Sequence, residues 1–195
     1  MNCAYEIPEL IEGTVIKCFV CETSNNFSEC KTTLEEACVD VFGKTLDISF
    51  IEDPTLRQQA RVTRENRLGE MFSNLETDHM KKLGKAPVIA TALENYPVGK
   101  EEVLELARQY NMIAILLKNY VLPLALTADE SASGNQMYYF CVCRGLMLVG
   151  SYHSIVASES NSNNEAWNTY TLSSRNFQKM TDMAKEALAM DEIDD

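Results

Sequence analysis

The residues best suited to specific chemistry are four arginines in one short stretch, Arg57, Arg61, Arg64 and Arg67. Four of the chain's seven arginines fall there, although the whole chain carries a formal net charge of -12. A planar guanidinium group binds carboxylate or phosphate through two hydrogen bonds, which lysine cannot do, and the stretch contains no lysine. The cluster therefore predicts a specific anionic partner, either within the chain or outside it.

The arginines lie on a predicted helix over residues 54–83, because Asp53 followed by Pro54 is typical of a helix N-terminus. At about 100° per residue, the first three arginines share one narrow stripe of this helix, and Arg67 is displaced to one side. The same stripe turns apolar over the next two turns, at Leu68, Met71, Phe72 and Leu75. An ordinary amphipathic helix would keep one apolar stripe throughout.

Three explanations of the arginine stripe stay open. In the first, the helix extends beyond its own core and presents the arginines to a partner chain or an acidic groove. In the second, the helix kinks near Gly69, where helix propensity is weak, and turns the arginines into water. In the third, the stripe binds the phosphates of a nucleotide or nucleic acid. An ordinary surface pair between Arg61 and Glu65 would contribute only a few tenths of a kcal/mol.

Two acidic residues beside this helix could perform metal chemistry. Asp47 and Glu52 flank a predicted strand, and carboxylates at the end of a strand can hold a hard cation such as Mg²⁺. The alternative is that Asp47 lies on the solvent side of the strand and that Glu52 is simply exposed. We expect a catalytic role for these two residues only if the protein is a metal-dependent enzyme.

The cysteines and histidines give weaker signals for a metal or catalytic site. Cys18 and Cys21 form a C-x-x-C pair, but they would point to opposite faces of a predicted strand, so a structural zinc site is not expected. His79 and His153 lie in no catalytic motif, and no glycine-rich phosphate loop follows a predicted strand. The sequence therefore predicts no cofactor, with Mg²⁺ implied only under the metal-dependent alternative.

Composition limits the classes of function. The apolar fraction of 46% and the charged fraction of 24% are values of globular proteins. A pI of about 4.6 argues against a wide surface for nucleic acid or anionic membrane. The sequence shows no secretory signal, no run of roughly 18 apolar residues, and an odd number of cysteines. We therefore expect reduced thiols and an intracellular, cytoplasmic location, which includes a virus particle.

The elements that must position these residues alternate along the chain, which predicts a three-layer α/β fold with a mostly parallel sheet. The predicted order is strand 14–21, helix 32–43, strand 45–51, helix 54–83, strand 87–92, helix 99–110 and strand 112–117. A helix continuing to Leu122 is the alternative for the last strand. An antiparallel hairpin over 136–156 and a C-terminal helix from Ser173 or Ser174 complete a single domain, 1–195, with an N-terminal arm (1–12) and an acidic tail (191–195).

Residues 86–122 contain VIATA, EEVLELARQYN and MIAILLKNYVL in succession. This segment, under a fifth of the chain, resembles the distal half of the restriction-endonuclease-like fold, in which a strand, a helix and a short strand follow one another. The resemblance implies a metal-dependent nuclease. However, that family's Glu-x-Lys pattern is missing, since no lysine follows Asp47 and Glu52 at the required spacing. The resemblance therefore implies an inactive copy or a rearranged site.

The sequence favours a non-enzymatic interaction or assembly subunit that docks through the arginine-bearing helix 54–83. Its partner would be another protein or further copies of the chain in a homo-oligomer, with no membrane involved. The alternative is a metal-dependent nuclease-like domain, active or degenerate, with the arginines on nucleic-acid phosphates and Asp47 and Glu52 on the metal. A third, smaller alternative is an acidic mimic that inhibits a nucleic-acid-binding enzyme.

Overall fold

The computed structural model describes residues 16–17, 24–25, 36–44, 46, 52–82 and 99–191. Helix α1 covers residues 36–42. The longer helices are α2 (Pro54–Lys82), α3 (Lys100–Tyr120), α4 (Ala128–Glu159) and α5 (Asn163–Asp191), with a 3₁₀ turn at Leu122–Leu124 between α3 and α4. Two short strands, β1 (Ile16–Lys17) and β2 (Ser24–Asn25), pair antiparallel, with Ile16 opposite Asn25.

The prediction of an α/β fold with a mostly parallel sheet is wrong. Within the described residues, β1 and β2 are the only paired strands, and their pairing is antiparallel. The predicted strands at 45–51 and 87–92 fall outside the described residues, except for Leu46, which is not in a strand. Nearly everything else that the structure describes is helical, so a sheet covered by helices cannot organise this part of the chain.

The predicted strand at 112–117 belongs to α3, as the alternative of a continuing helix anticipated. Asn111, which separates the predicted helix 99–110 from the predicted strand 112–117, is buried in the middle of α3. The buried positions of this helix recur with helical spacing across the predicted boundary. They are Val103, Leu106, Ala107, Tyr110, Ile113, Ala114 and Leu117.

The predicted hairpin over 136–156 is also wrong, because these residues lie inside α4. Residues 145–151 are buried without interruption. A helix that is buried on every side shows no polar stripe, and its apolar run cannot be told from a buried strand by periodicity. The segments on either side of the predicted hairpin, 128–135 and 163–172, are helical as well. Helix α5 begins at Asn163, about ten residues before the predicted start, which leaves only 160–162 as a connection.

Side-chain caps explain where several helices begin and end. Asp53 Oδ1 accepts the N–H groups of Thr55 at 2.8 Å and Leu56 at 3.0 Å, which confirms the predicted N-terminus of α2. Gly43, predicted as the stop of α1, adopts a φ of 72° and donates its N–H to Val39 O at 2.7 Å. Thr127 Oγ1 caps α4 by accepting the N–H of Glu130 at 3.3 Å.

The helices pack as two compact units, each with its own core. The first unit comprises Met1–Phe72 and Asn111–Tyr138, and the second comprises Ser73–Tyr110 and Tyr139–Asp195. The largest fully buried side chains of the first unit are Leu68, Ile113, Leu116, Leu117, Val121 and Leu124. Those of the second unit are His79, Val103, Tyr110, Leu148 and Val149. The first unit contains the arginines, and the second contains a buried polar network that the sequence did not predict.

Among the described residues, α4 is the one helix whose length and apolar composition would suffice to cross a membrane. Most of its apolar window is buried within the protein. The core helix of a globular protein meets the same criterion, so the length and composition of α4 are accounted for by its central place in the packing.

Candidate functional site

Two of the predicted arginines bind the carboxyl end of α3 and the turn that follows it. Arg57 Nε donates to Leu124 O at 3.3 Å, and its guanidinium also donates to Pro123 O. Arg64 Nη1 donates to Tyr120 O at 3.0 Å. The last carbonyls of a helix lack partners within that helix and carry partial negative charge. The two guanidinium groups therefore cap this end and complement its dipole.

Arg67 makes the same kind of contact at a second helix end. Its Nε donates to Val41 O, in the last turn of α1, at 3.3 Å. Its Nη1 lies 3.5 Å from the Glu70 carboxylate, in a largely exposed i, i+3 pair. A pair so exposed to water contributes little, so the contact with α1 is the more informative one.

Arg61 binds carboxylates of its own chain. Its guanidinium donates to Glu65 on α2, and Nη2 lies 3.5 Å from Glu130 Oε1 on α4. Ser133 Oγ donates to the other oxygen of Glu65 at 3.0 Å. The N–H of Leu126, and then the charge of Arg61, lowers the pKa of the Glu130 carboxyl from its ordinary value. These contacts join α2 to the start of α4.

The arginine stripe faces inward. Arg61 is 8% exposed and Arg64 is 7% exposed, and Leu68 on the same stripe is fully buried. Burial lowers the pKa of the Arg64 guanidinium from its ordinary value. Because Arg61 and Arg64 are both buried, the explanation that a kink turns the arginines into water does not describe these two residues. A role of the four arginines in binding an external partner stays a prediction.

The predicted acidic site is only partly described. Glu52 is exposed immediately before α2, and Asp47 lies outside the described residues. In the parts of the chain that the structure describes, no group of three or more His, Cys, Asp or Glu side chains is arranged to hold a metal ion. The metal-dependent alternative therefore gains no supporting geometry from these residues.

A buried polar network in the second unit was missed by sequence reasoning. His79 Nδ1 lies 2.9 Å from the Tyr110 hydroxyl, which donates in turn to Glu76 Oε1. Arg144 completes the network, with Nε 3.4 Å from Glu76 Oε1 and Nη2 3.5 Å from Oε2. Because Tyr110 gives its proton to the carboxylate, its oxygen accepts from His79, so the proton of this imidazole lies on Nδ1.

The protonation of this network suits a role in stabilising the fold. Burial, and then the hydrogen bond to Glu76, raises the pKa of the Tyr110 phenol far above its ordinary value, so Tyr110 stays a proton donor. Burial, followed by the charge of Glu76, likewise raises the pKa of the nearby Cys141 thiol. A thiol with a raised pKa is a poor nucleophile. Neither Tyr110 nor Cys141 is therefore tuned for nucleophilic chemistry near neutral pH.

The spacing of Glu76 and His79 was the signal available in the sequence. A Glu-x-x-His pair on one helix is the pattern that binds metals in some helix bundles, where facing helices supply further carboxylates. Here the facing helices supply Tyr110 and Arg144 instead, and the guanidinium provides the positive charge. The pair was overlooked because its partners lie 31 and 65 residues from His79 along the chain.

Two helix faces point outward and carry exposed apolar side chains. On α2, opposite the arginine stripe, Leu56 and Val62 are exposed. On α5, Trp167 is 73% exposed and Leu188 is 64% exposed, and Tyr170 lies beside them on the same face. Large aromatic side chains on the surface are typical of protein contact sites. Comparison with protein-family models, curated proteins and solved structures finds no significant match to this chain.

Proposed function

We propose that this protein is a non-enzymatic interaction or assembly subunit that docks another protein through the outward face of α2. The observation that carries the proposal is the division of α2 into two faces. The inward face holds Arg61 and Arg64 against the protein's own carboxylates and carbonyls. The outward face is left free of that internal role.

The outward face of α2 in the first unit has the chemistry of a protein contact surface. From Leu56 to Asn66 its exposed side chains carry no charge, and they include Leu56, Gln59, Val62, Thr63 and Asn66. The whole chain has a formal net charge of -12, so an uncharged helix face is where another protein surface can approach without electrostatic repulsion. Depletion of charge at the centre is typical of protein interfaces.

The same division argues for a protein partner over a nucleic acid. Phosphate binding requires positively charged side chains directed at the ligand. Three of the four predicted arginines donate to backbone carbonyls, and Arg61 lies between two carboxylates. From Leu56 to Asn66 the outward face contributes no cation, so its polar groups suit protein side chains better than phosphates.

A photo-crosslinking amino acid at Val62 tests this proposal in cells that express the full chain. We expect discrete protein adducts at Val62 that Leu56→Glu abolishes, because a carboxylate placed in the contact repels the partner. The matched control is the same crosslinker at Asp129, which is exposed at the start of α4. Equal adducts at both positions, or none at Val62, would contradict the proposal. Nuclease-sensitive adducts at Val62 would favour the nucleic-acid alternative.

A further inference from the structure

We infer that the outward face of α5 is a self-association surface, which pairs antiparallel with α5 of a second copy of this chain. This surface is separate from the α2 face, so the inference stands whether or not α2 docks a partner. It rests on one exposed stripe of α5 with regular spacing. The stripe consists of Asn163, Trp167, Tyr170, Ser174, Gln178, Thr181, Lys185 and Leu188.

The spacing of these residues keeps the stripe straight enough to meet a second helix. Successive positions along it are three or four residues apart, and all eight positions are exposed. This is the spacing by which one helix presents a continuous seam to another. Between Trp167 and Leu188 the seam is about 32 Å long at 1.5 Å per residue.

When two copies of the stripe run antiparallel, the residues that come opposite each other are complementary. An antiparallel pairing centred between Phe177 and Gln178 places Trp167 of one copy opposite Leu188 of the other. The same register places Tyr170 opposite Lys185, and Ser174 opposite Thr181. A two-fold axis repeats each of these pairs, since the same surface serves on both copies.

Each opposed pair has suitable chemistry. Trp167 and Leu188 are the two most exposed large apolar side chains of the described residues, and pairing removes both from water. An ammonium group over a tyrosine ring is attracted by the electrons of the ring, so Lys185 suits Tyr170. Ser174 and Thr181 can exchange a hydroxyl hydrogen bond. No pair joins two like charges.

Charge distribution further favours a second copy as the occupant. Copies of a chain with net charge -12 repel one another over most of their surface. No residue of the stripe is acidic, and the Asp182 carboxylate at its side is bound within α5, where it accepts from Gln178 Nε2 at 2.9 Å and lies 3.9 Å from Lys185 Nζ. Its single charge, Lys185, meets an aromatic ring in the antiparallel register. The stripe is therefore a place where two acidic copies can come together.

Light scattering on the purified full chain tests the pairing, with circular dichroism to confirm that each variant stays helical. We expect a wild-type mass of at least twice 21.9 kDa. Tyr170→Lys should halve this mass, because two lysines then face each other twice in the pair. Asn168→Lys adds the same charge on α5 outside the stripe, so it should leave the mass unchanged.

An exchange of the two side chains tests the register itself. The double variant Tyr170→Lys with Lys185→Tyr restores one ring opposite one ammonium group, so we expect it to recover the wild-type mass. The inference is overturned if the wild-type chain has a mass of only 21.9 kDa. It is also overturned if Tyr170→Lys leaves the wild-type mass unchanged, or if the double variant stays dissociated. Leu56→Glu on α2 should not change the mass, which separates this inference from the α2 docking proposal.

Discussion

At the scale of single residues, the arginines act as internal ligands for the ends of other helices. We predict that Arg64→Ala lowers the free energy of unfolding by about 1–3 kcal/mol, because it removes a buried guanidinium group and its hydrogen bond to the half-buried Tyr120 carbonyl. Arg108→Ala on α3 is the control, since Arg108 is largely exposed in an i, i+3 pair with Glu105 and should matter by less than about 0.5 kcal/mol. Urea denaturation of both variants measures the difference. If Arg64→Ala and Arg108→Ala lower the free energy of unfolding equally, the contact between Arg64 and Tyr120 does not stabilise the fold.

The Tyr110 phenol makes stability depend on pH in the alkaline range. An unfolded chain loses the tyrosine proton near pH 10, at about the ordinary tyrosine pKa. The folded chain keeps it to higher pH, because burial and the bond to Glu76 raise the pKa of Tyr110. The unfolded state therefore binds fewer protons above pH 10, and the stability present below that pH is lost as pH rises.

We predict that the urea midpoint of the wild type falls between pH 9 and pH 11, and that Tyr110→Phe falls less steeply. The variant should be less stable at neutral pH, by about 1–3 kcal/mol, because the hydroxyl that joins His79 to Glu76 is removed. If the urea midpoints of the two proteins fall equally steeply over this pH range, the loss of stability at alkaline pH does not come from Tyr110.

At the scale of elements, the packing of α4 on α5 depends on a glycine. A Cβ atom added at Gly150 would lie 3.0 Å from the Phe177 ring, and the Ser173 hydroxyl donates to Gly150 O at 2.8 Å. We predict that Gly150→Ala destabilises the protein by about 1–2 kcal/mol, because the cost of moving a well-packed contact apart exceeds the gain of about 1 kcal/mol that alanine has over glycine in a helix.

Gly69→Ala provides a matched control in the middle of another helix. A Cβ atom at Gly69 meets only Met137, at an ordinary distance of 3.8 Å. Alanine is favoured over glycine in a helix by about 1 kcal/mol, so this variant should be as stable as the wild type or more stable. Thermal unfolding followed by circular dichroism compares the two. Destabilisation by Gly69→Ala equal to that of Gly150→Ala would refute the special role of the α4–α5 contact.

Sequence patterns predicted the helices whose ends carry clear signals, such as the Asp53 cap of α2 and the Gly43 stop of α1. The starts of α4 and α5 carry similar signals in Thr127-x-x-Glu130 and Ser162-x-x-Glu165, which are capping boxes of the kind that marks a helix N-terminus. They were outweighed by the aromatic and β-branched run within α4. Such a run favours a strand locally, whereas burial on all sides stabilises it as a helix.

The arginine site was predicted in part. Helical projection placed the arginines on the stripe that carries Leu68. Because Leu68 is fully buried, this stripe faces the core. It could not identify the groups that meet them there. The carbonyls of Tyr120, Pro123 and Leu124 become acceptors only because α3 ends at that point. A pattern of side chains does not indicate which backbone carbonyls will lack a partner, so only the tertiary structure identifies these acceptors.

At the scale of the whole molecule, strong acidity restricts where contacts with other acidic proteins can form. With a formal net charge of -12, association is expected at faces that lack carboxylates. The outward face of α2 from Leu56 to Asn66 and the exposed stripe of α5 both satisfy this condition, and each belongs to a helix whose opposite side is held by buried contacts. The inward faces of these helices therefore stabilise the fold, and we propose that the outward faces associate with other proteins.

The most direct test of this division compares two substitutions on α2 that each lower the net charge by one unit. Arg61→Gln removes the buried cation between Glu65 and Glu130, and we predict that it lowers the thermal unfolding midpoint by roughly 5–10 °C. Gln59→Glu adds one carboxylate to the outward face and should leave the midpoint nearly unchanged. If the two midpoints are equal, or if Gln59→Glu is the more destabilising, the arginine stripe does not hold the fold from within and the account is wrong.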